Sequence, residues 1–134
     1  MKLYKLLAIV SVSTLAFQCQ TLQDCSKYKT GKFYFISKMH RTKVLIERTD
    51  SLQVETDTKT GEIIKNRIDW KTQCEYDIYQ ILPTERKPDK TDSFFSVTPI
   101  QIRITDVGDD YYICIASIPN SKYPSVKDTM WVSK

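Results

Sequence analysis

Beyond residue 25, apolar residues recur at every second position, and turn-forming residues interrupt them about every 8–12 positions. That period marks half-buried antiparallel strands; no stretch of ten or more residues shows helical spacing. The first predicted strand is Lys32 to Ser37, with Phe33 and Phe35 on one face. Thr42 to Arg48 follows, with Val44 and Ile46 pointing together, and Leu52, Val54 and Thr56 continue beyond the Thr49-Asp50-Ser51 turn. The Asp57 to Gly61 loop closes a second hairpin, Gly61 being free to take positive φ. Ile64, Asn66, Ile68 and Trp70 share the next face, and Cys74, Tyr76 and Ile78 repeat the pattern. Residues 83–98, PTERKPDKTDSFFSVT, break it and are long for a hairpin connection, so they are expected to lie over one end of the sheet. Alternation resumes in Ile100, Ile102 and Ile104, in Tyr112, Cys114 and Ala116, and in Met130 and Val132. About eight strands imply an all-β fold: a small antiparallel up-and-down barrel or a strongly curled sheet, with closure removing exposed edges.

The N-terminus follows a different rule. Lys2 and Lys5 precede Leu6 to Phe17, an uncharged run too short to span a bilayer, which needs about 20 residues. This is the pattern of a secretory signal peptide over residues 1–18, which is set aside from the fold. Two processing sites stay open. Thr14-Leu15-Ala16 offers small residues for cleavage before Phe17; alternatively Cys19 becomes the first mature residue and carries a lipid, although Gln18 is larger than a lipobox prefers. The division expected is a signal peptide at 1–18, a tether at 19–30 and one barrel-like domain at 31–134.

Composition sharpens that picture. The 134 residues are 41% hydrophobic and 27% charged, the balance of one globular domain. The net charge of +4 includes Lys2 and Lys5; without them 18 basic side chains face 16 acidic ones. A near-neutral mature chain disfavours nucleic acid as a partner. Export brings an oxidising compartment, where disulfides persist. Cys19, Cys25, Cys74 and Cys114 allow three full pairings; Cys25–Cys74 is the preferred one, tying the N-terminus to the sheet. Cys114, among Tyr112, Ile113, Ile115 and Ala116, reads as a buried inert thiol.

Catalytic chemistry finds little purchase. His40 is the only histidine, in the basic Lys38 to Arg41 connection, and reads as a solvated turn residue. One histidine and no CxxC spacing leave no zinc site, so no metal or other cofactor is expected. The three glycines cannot form a phosphate-binding loop. Glu75 and Asp77 are the carboxylates a secreted hydrolase would use, but alternation puts them on the polar face of their strand. Arg48 and Asp50 read as a structural ion pair at a turn. Asn66, among inward-facing apolar residues, demands either a partner or a ligand. With Trp70 and Tyr76 in the same interior and Phe94-Phe95 at the mouth, it completes a candidate ligand site.

Three blocks carry a family likeness: Cys25 with Lys29-Thr30-Gly31-Lys32-Phe33; Ile46 to Glu55; and Ile68-Asp69-Trp70 with Cys74-Glu75-Tyr76. Over residues 25–116 the chain resembles a set of small exported (lipo)proteins of Bacteroidota, chiefly flavobacteria, whose activity is uncharacterised. The resemblance implies the periplasm or the outer membrane, the latter through a lipid anchor, or else secretion. Gly31-Lys32-Phe33 is also similar to the Gly-x-Trp of the first lipocalin strand, with phenylalanine for tryptophan. The expected function is that of a non-enzymatic cell-envelope β-protein that binds a partner or serves a structural role. The alternatives are a lipocalin-like carrier of a small apolar ligand and, more remotely, the carboxylate hydrolase.

Overall fold

The computed structural model describes residues 23–134. Eight antiparallel strands follow one another around a closed barrel: β1 (Gly31–Ile36), β2 (Lys43–Arg48), β3 (Leu52–Asp57), β4 (Ile63–Trp70), β5 (Glu75–Gln80), β6 (Ile100–Val107), β7 (Tyr111–Ser117) and β8 (Val126–Val132). β8 closes on β1 through Phe33 opposite Val132 and Tyr34 opposite Trp131. Every strand thus has two partners, and no edge is left to pair with another chain.

Alternation sets which side chains enter the lumen. Phe33 and Phe35 of β1 stand opposite Ile46 and Val44 of β2, and Tyr76 and Ile78 of β5 stand opposite Trp70 and Ile68 of β4. Ile102 and Ile104 face Ala116 and Cys114, and Tyr112 faces Met130. These are the apolar positions that the sequence pattern selects. The β3 face is the exception. Gln53 and Glu55 pair with the inward-facing Arg48 and Ile46, so the polar residues of β3 enter the lumen while Leu52, Val54 and Thr56 point outward, the reverse of the hydrophobic expectation.

The two ends of the barrel are built differently. A 3-10 turn, Ser26–Tyr28, crosses the end at which β1 begins. Cys25 and Tyr28 are buried there, while Ser26 and Lys27 between them are exposed. Gly31, with φ of +134°, turns the chain from this plug into β1, a conformation closed to residues with a side chain. Cys25 is bonded to Cys74, just ahead of β5, as the preferred pairing requires.

At the other end lies α1 (Lys90–Val97), inside the segment expected to cover the sheet. The helix is not legible in the apolar spacing because it is only eight residues long. It is specified by its cap instead: the Asp89 carboxylate accepts from the Asp92 amide (2.8 Å), and the Asp92 carboxylate accepts from the Asp89 amide (2.9 Å).

The disulfide closes a chain separation of 49 residues, worth about 4 kcal/mol in the chain-entropy description. Replacing Cys25 and Cys74 together by alanine is expected to lower the unfolding free energy by about that amount, measured by urea titration against the oxidised parent. The loss should shrink to nothing when the parent is itself reduced.

Candidate functional site

The lumen contains a polar arc from β2 to β5 and an apolar arc from β6 round to β1. The polar arc begins at Arg48, which shares its face of β2 with Val44 and Ile46 and is only 4% exposed. Its Nε donates to Gln53 Oε1 (2.8 Å), Nη1 to the Tyr28 main-chain carbonyl (3.0 Å) and Nη2 to the Tyr112 hydroxyl (2.8 Å). The guanidinium also lies within 5.0 Å of the Phe33 ring centre and 4.9 Å of that of Tyr76, contacts that favour a desolvated cation. Arg48 is therefore a lumen residue joined to the plug, not the partner of Asp50 at the turn; the two-residue period along β2 carries it inward.

Gln53 passes the network on. Its Nε2 donates to Glu55 Oε1 (2.7 Å), and the same oxygen accepts from Asn66 Nδ2 (2.9 Å). Burial raises the Glu55 carboxyl above its ordinary value, partly opposed by the Gln53 hydrogen bond and the charge of Arg48. Asn66 has the partner that a buried amide demands, and that partner, with Gln53, is hidden from the sequence pattern by the inverted face of β3.

Lumen-facing side chains change in exposure along the axis. Towards the plug, Phe33, Arg48, Gln53, Tyr76, Ile104 and Tyr112 are buried. Towards α1, Phe35, Glu55, Ile64, Gln80, Ile100 and Ala116 each keep accessible surface. Trp70 and Val132 near the plug and Val44 near α1 run against this trend, but the most buried side chains gather at the base, and the part-exposed region beneath α1 is termed the cup. A groove of about 490 Å³ crosses the lip of the cup, reaching inward-facing Ile64 and Gln80 and continuing along Ile81, Leu82 and Pro83. Its size suits a small molecule. Beside it, α1 is held by Asp92, which accepts from Gln80 Nε2 (2.7 Å) and from both terminal nitrogens of Arg86 (2.5 and 3.0 Å). The Arg86 hydrogen bonds, with that of the Asp89 amide, bring the Asp92 carboxyl down to about 2.

The five residues expected to form one ligand site are divided between the two ends. Trp70 and Tyr76 stack near the plug, ring centres 4.4 Å apart, with the Lys29 ammonium 5.0 Å from the Trp70 ring. The Trp70 indole N–H is buried there without a hydrogen-bond partner. Phe94 and Phe95 stand on α1 at the opposite end, edge to face at 5.0 Å. Asn66 lies between the two groups. The reason is topological: β4 and β5 meet at the plug, whereas the segment carrying α1 leaves β5 at the other end. Cys19 lies outside the described residues.

Glu75 and Asp77 sit on the outer wall of β5, beside a groove of about 300 Å³. Asp77 is ion-paired with Lys71 (3.7 Å), and Glu75 is exposed. Asp77 itself is only 7% exposed, so the pair consists of one buried and one solvent-facing carboxylate. His40 is exposed in the β1–β2 loop, and the buried Cys114 thiol is pushed up to about 12, chiefly by desolvation. Among the described residues, no group of histidine, cysteine or carboxylate side chains is placed to hold a metal ion, and no helix is long and apolar enough to cross a membrane. Comparison with known proteins finds no matching family model, no matching curated protein and no matching solved structure.

Two outcomes test the site. Arg48→Met should cost about 3–5 kcal/mol in urea unfolding, because it strands the Tyr28 carbonyl, Gln53 and Glu55 inside the barrel. Arg48→Lys should recover only part of this, since an ammonium lacks the fork that serves three acceptors. The Asp92 clasp should depend on acid in a defined direction. Its carboxyl is depressed on folding, so its contribution is complete above the ordinary 3.8 and is lost as pH falls through about 2. Amide exchange in α1 should therefore accelerate over that acid range, and Asp92→Asn should show accelerated exchange already at neutral pH.

Proposed function

We propose that the protein is an exported, non-enzymatic binding protein of the cell envelope that receives a small apolar molecule in the cup at the α1 end. The observation that carries this reading is the gradient within the lumen: a base packed around Arg48, and accessible side chains gathered beneath α1. The cup wall joins Phe35, Ile64, Ile100 and Ala116 to the inward-facing carboxylate of Glu55. An apolar body with a hydrogen-bond donor matches that lining. Export is supported by the Lys2–Phe17 pattern and by the Cys25–Cys74 bond, which persists in oxidising compartments. Acylation at Cys19 would add a membrane anchor to the same function.

Titration with N-phenyl-1-naphthylamine, a neutral apolar fluorophore, tests the cup directly. Saturable enhancement at one probe per chain is expected. Ala116→Phe fills the cup from β7 and should weaken the probe at least about tenfold while thermal unfolding stays close to the parent. Absence of saturable binding overturns the reading, as does undiminished binding by a folded Ala116→Phe chain.

A further inference from the structure

Most of the large apolar side chains this barrel leaves exposed are gathered at one end. Ile36, Met39, Ile63, Ile81, Leu82, Phe94, Val97, Tyr123 and Val126 all lie in the α1-end connections or the strand ends beside them; among the described residues only Leu45 and Trp131 are exposed on the wall. Met39 is 84% exposed, Val97 76% and Tyr123 65%, values found where none of the described residues covers a side chain. They encircle the opening: Met39 stands on the β1–β2 connection, Ile63 beside the β3–β4 connection, Val97 on α1 and Tyr123 on the β7–β8 connection. A groove of about 520 Å³ between Phe94, Phe95, Ile118 and Tyr123 joins two of these tips.

The charge at this end has a sign. The four connections of the α1 end, residues 37–42, 58–62, 81–99 and 118–125, carry seven lysines and arginines against four carboxylates. Two of those carboxylates are engaged within the fold, Asp89 in the helix cap and Asp92 with Arg86 and Gln80. Lys38 and Arg41 flank Met39, Lys90 precedes Phe94 on α1, and Lys122 precedes Tyr123. The plug end, residues 23–30, 49–51, 71–74, 108–110 and 133–134, carries four lysines against four aspartates, so the cationic excess lies at the α1 end.

From the apolar tips and their basic neighbours we infer that the α1 end docks on an anionic lipid surface, the loop tips entering the headgroup region while the lysines and arginines meet lipid phosphates. Separate apolar protrusions on several loops, interleaved with cations, can each sink into a fluid interface, whereas a rigid protein partner is better matched by one continuous apolar patch. Each lysine near such a surface contributes roughly a fivefold increase in binding, and the aromatic side chains of Phe94 and Tyr123 suit the interfacial depth. This inference rests on the outer rim and is independent of the cup: a barrel with a filled cup would dock equally well.

The test uses the chain from residue 19 onward carrying Cys19→Ser, so that neither the apolar signal segment nor an acyl group supplies affinity, in sedimentation with vesicles of phosphatidylcholine alone or mixed with phosphatidylglycerol. The chain should sediment with the anionic vesicles, release in high salt, and stay in solution with phosphatidylcholine alone. Met39→Asp combined with Val97→Asp should reduce the bound fraction at least about tenfold, and Lys90→Glu with Lys122→Glu should do the same at low salt. Leu45→Asp, on the barrel wall, should leave vesicle binding unchanged. Thermal unfolding checks that each variant keeps the fold. Binding of N-phenyl-1-naphthylamine by the Lys90→Glu, Lys122→Glu chain distinguishes a failure at the rim from a failure at the cup. Equal binding to both vesicle types, or equal loss on Leu45→Asp, overturns the proposal. So does an absence of vesicle binding by the folded chain; rim-dependent self-association in sedimentation velocity would then make the rim a contact between copies of this chain.

Discussion

A guanidinium inside a small barrel is the constraint from which the rest of this structure follows. Arg48 cannot shed its charge, and moving it from water into the lumen costs several kcal/mol before any partner is counted. Three donors must find acceptors and the cation must find polarisable surroundings. The Tyr28 carbonyl supplies one acceptor only if the chain before β1 folds back across the barrel end as a 3-10 turn. Gln53 supplies another only if β3 presents its polar face inward. Once Gln53 is inside, its amide needs an acceptor, which brings in Glu55, and the same oxygen satisfies Asn66. The plug and the polar arc are one connected solution to one buried charge. The disulfide reinforces it by anchoring Cys25, next to the plug, to the turn before β5.

The same chain of dependence explains what the sequence conceals. Strand number and the buried setting of Cys114 are legible because each depends on local alternation or apolar neighbours, whereas the Cys25–Cys74 bond joins distant positions that spacing only makes preferable among three pairings. The inward face of β4 is legible for the same reason, Asn66 included. The face of β3 is not: hydrophobicity alone assigns Val54 to the core, and only knowledge that Arg48 lies inside reverses the choice. The signal is nonetheless present, since Val44, Ile46 and Arg48 share one parity on β2. Reading that parity through to the end of the strand, instead of letting the arginine end it, places the charge inside and makes Gln53 its natural neighbour across the tight 49–51 turn. The separation of Trp70 and Tyr76 from Phe94 and Phe95 is beyond alternation altogether. It depends on which barrel end each connection occupies, a property of strand direction rather than of any local pattern.

Those dependences also make the two ends of the barrel unequal. The wall is sealed by main-chain hydrogen bonds on every strand, leaving no edge to extend. The base is locked three ways, by a covalent bond, by a buried ionic network and by the Tyr28 hydroxyl lying 2.5 and 2.7 Å from the Gly108 and Tyr111 carbonyls. Opening it would expose Arg48 and strand its acceptors together, so local motion there is coupled to loss of the whole core. The α1 end has no such coupling. Its helix is held chiefly by a capped turn and the Asp92 clasp, and neither shares a hydrogen bond with the Arg48 network. A shift of α1 therefore leaves undisturbed the charge that organises the base, and the tightest coupling of the fold is concentrated at the plug end.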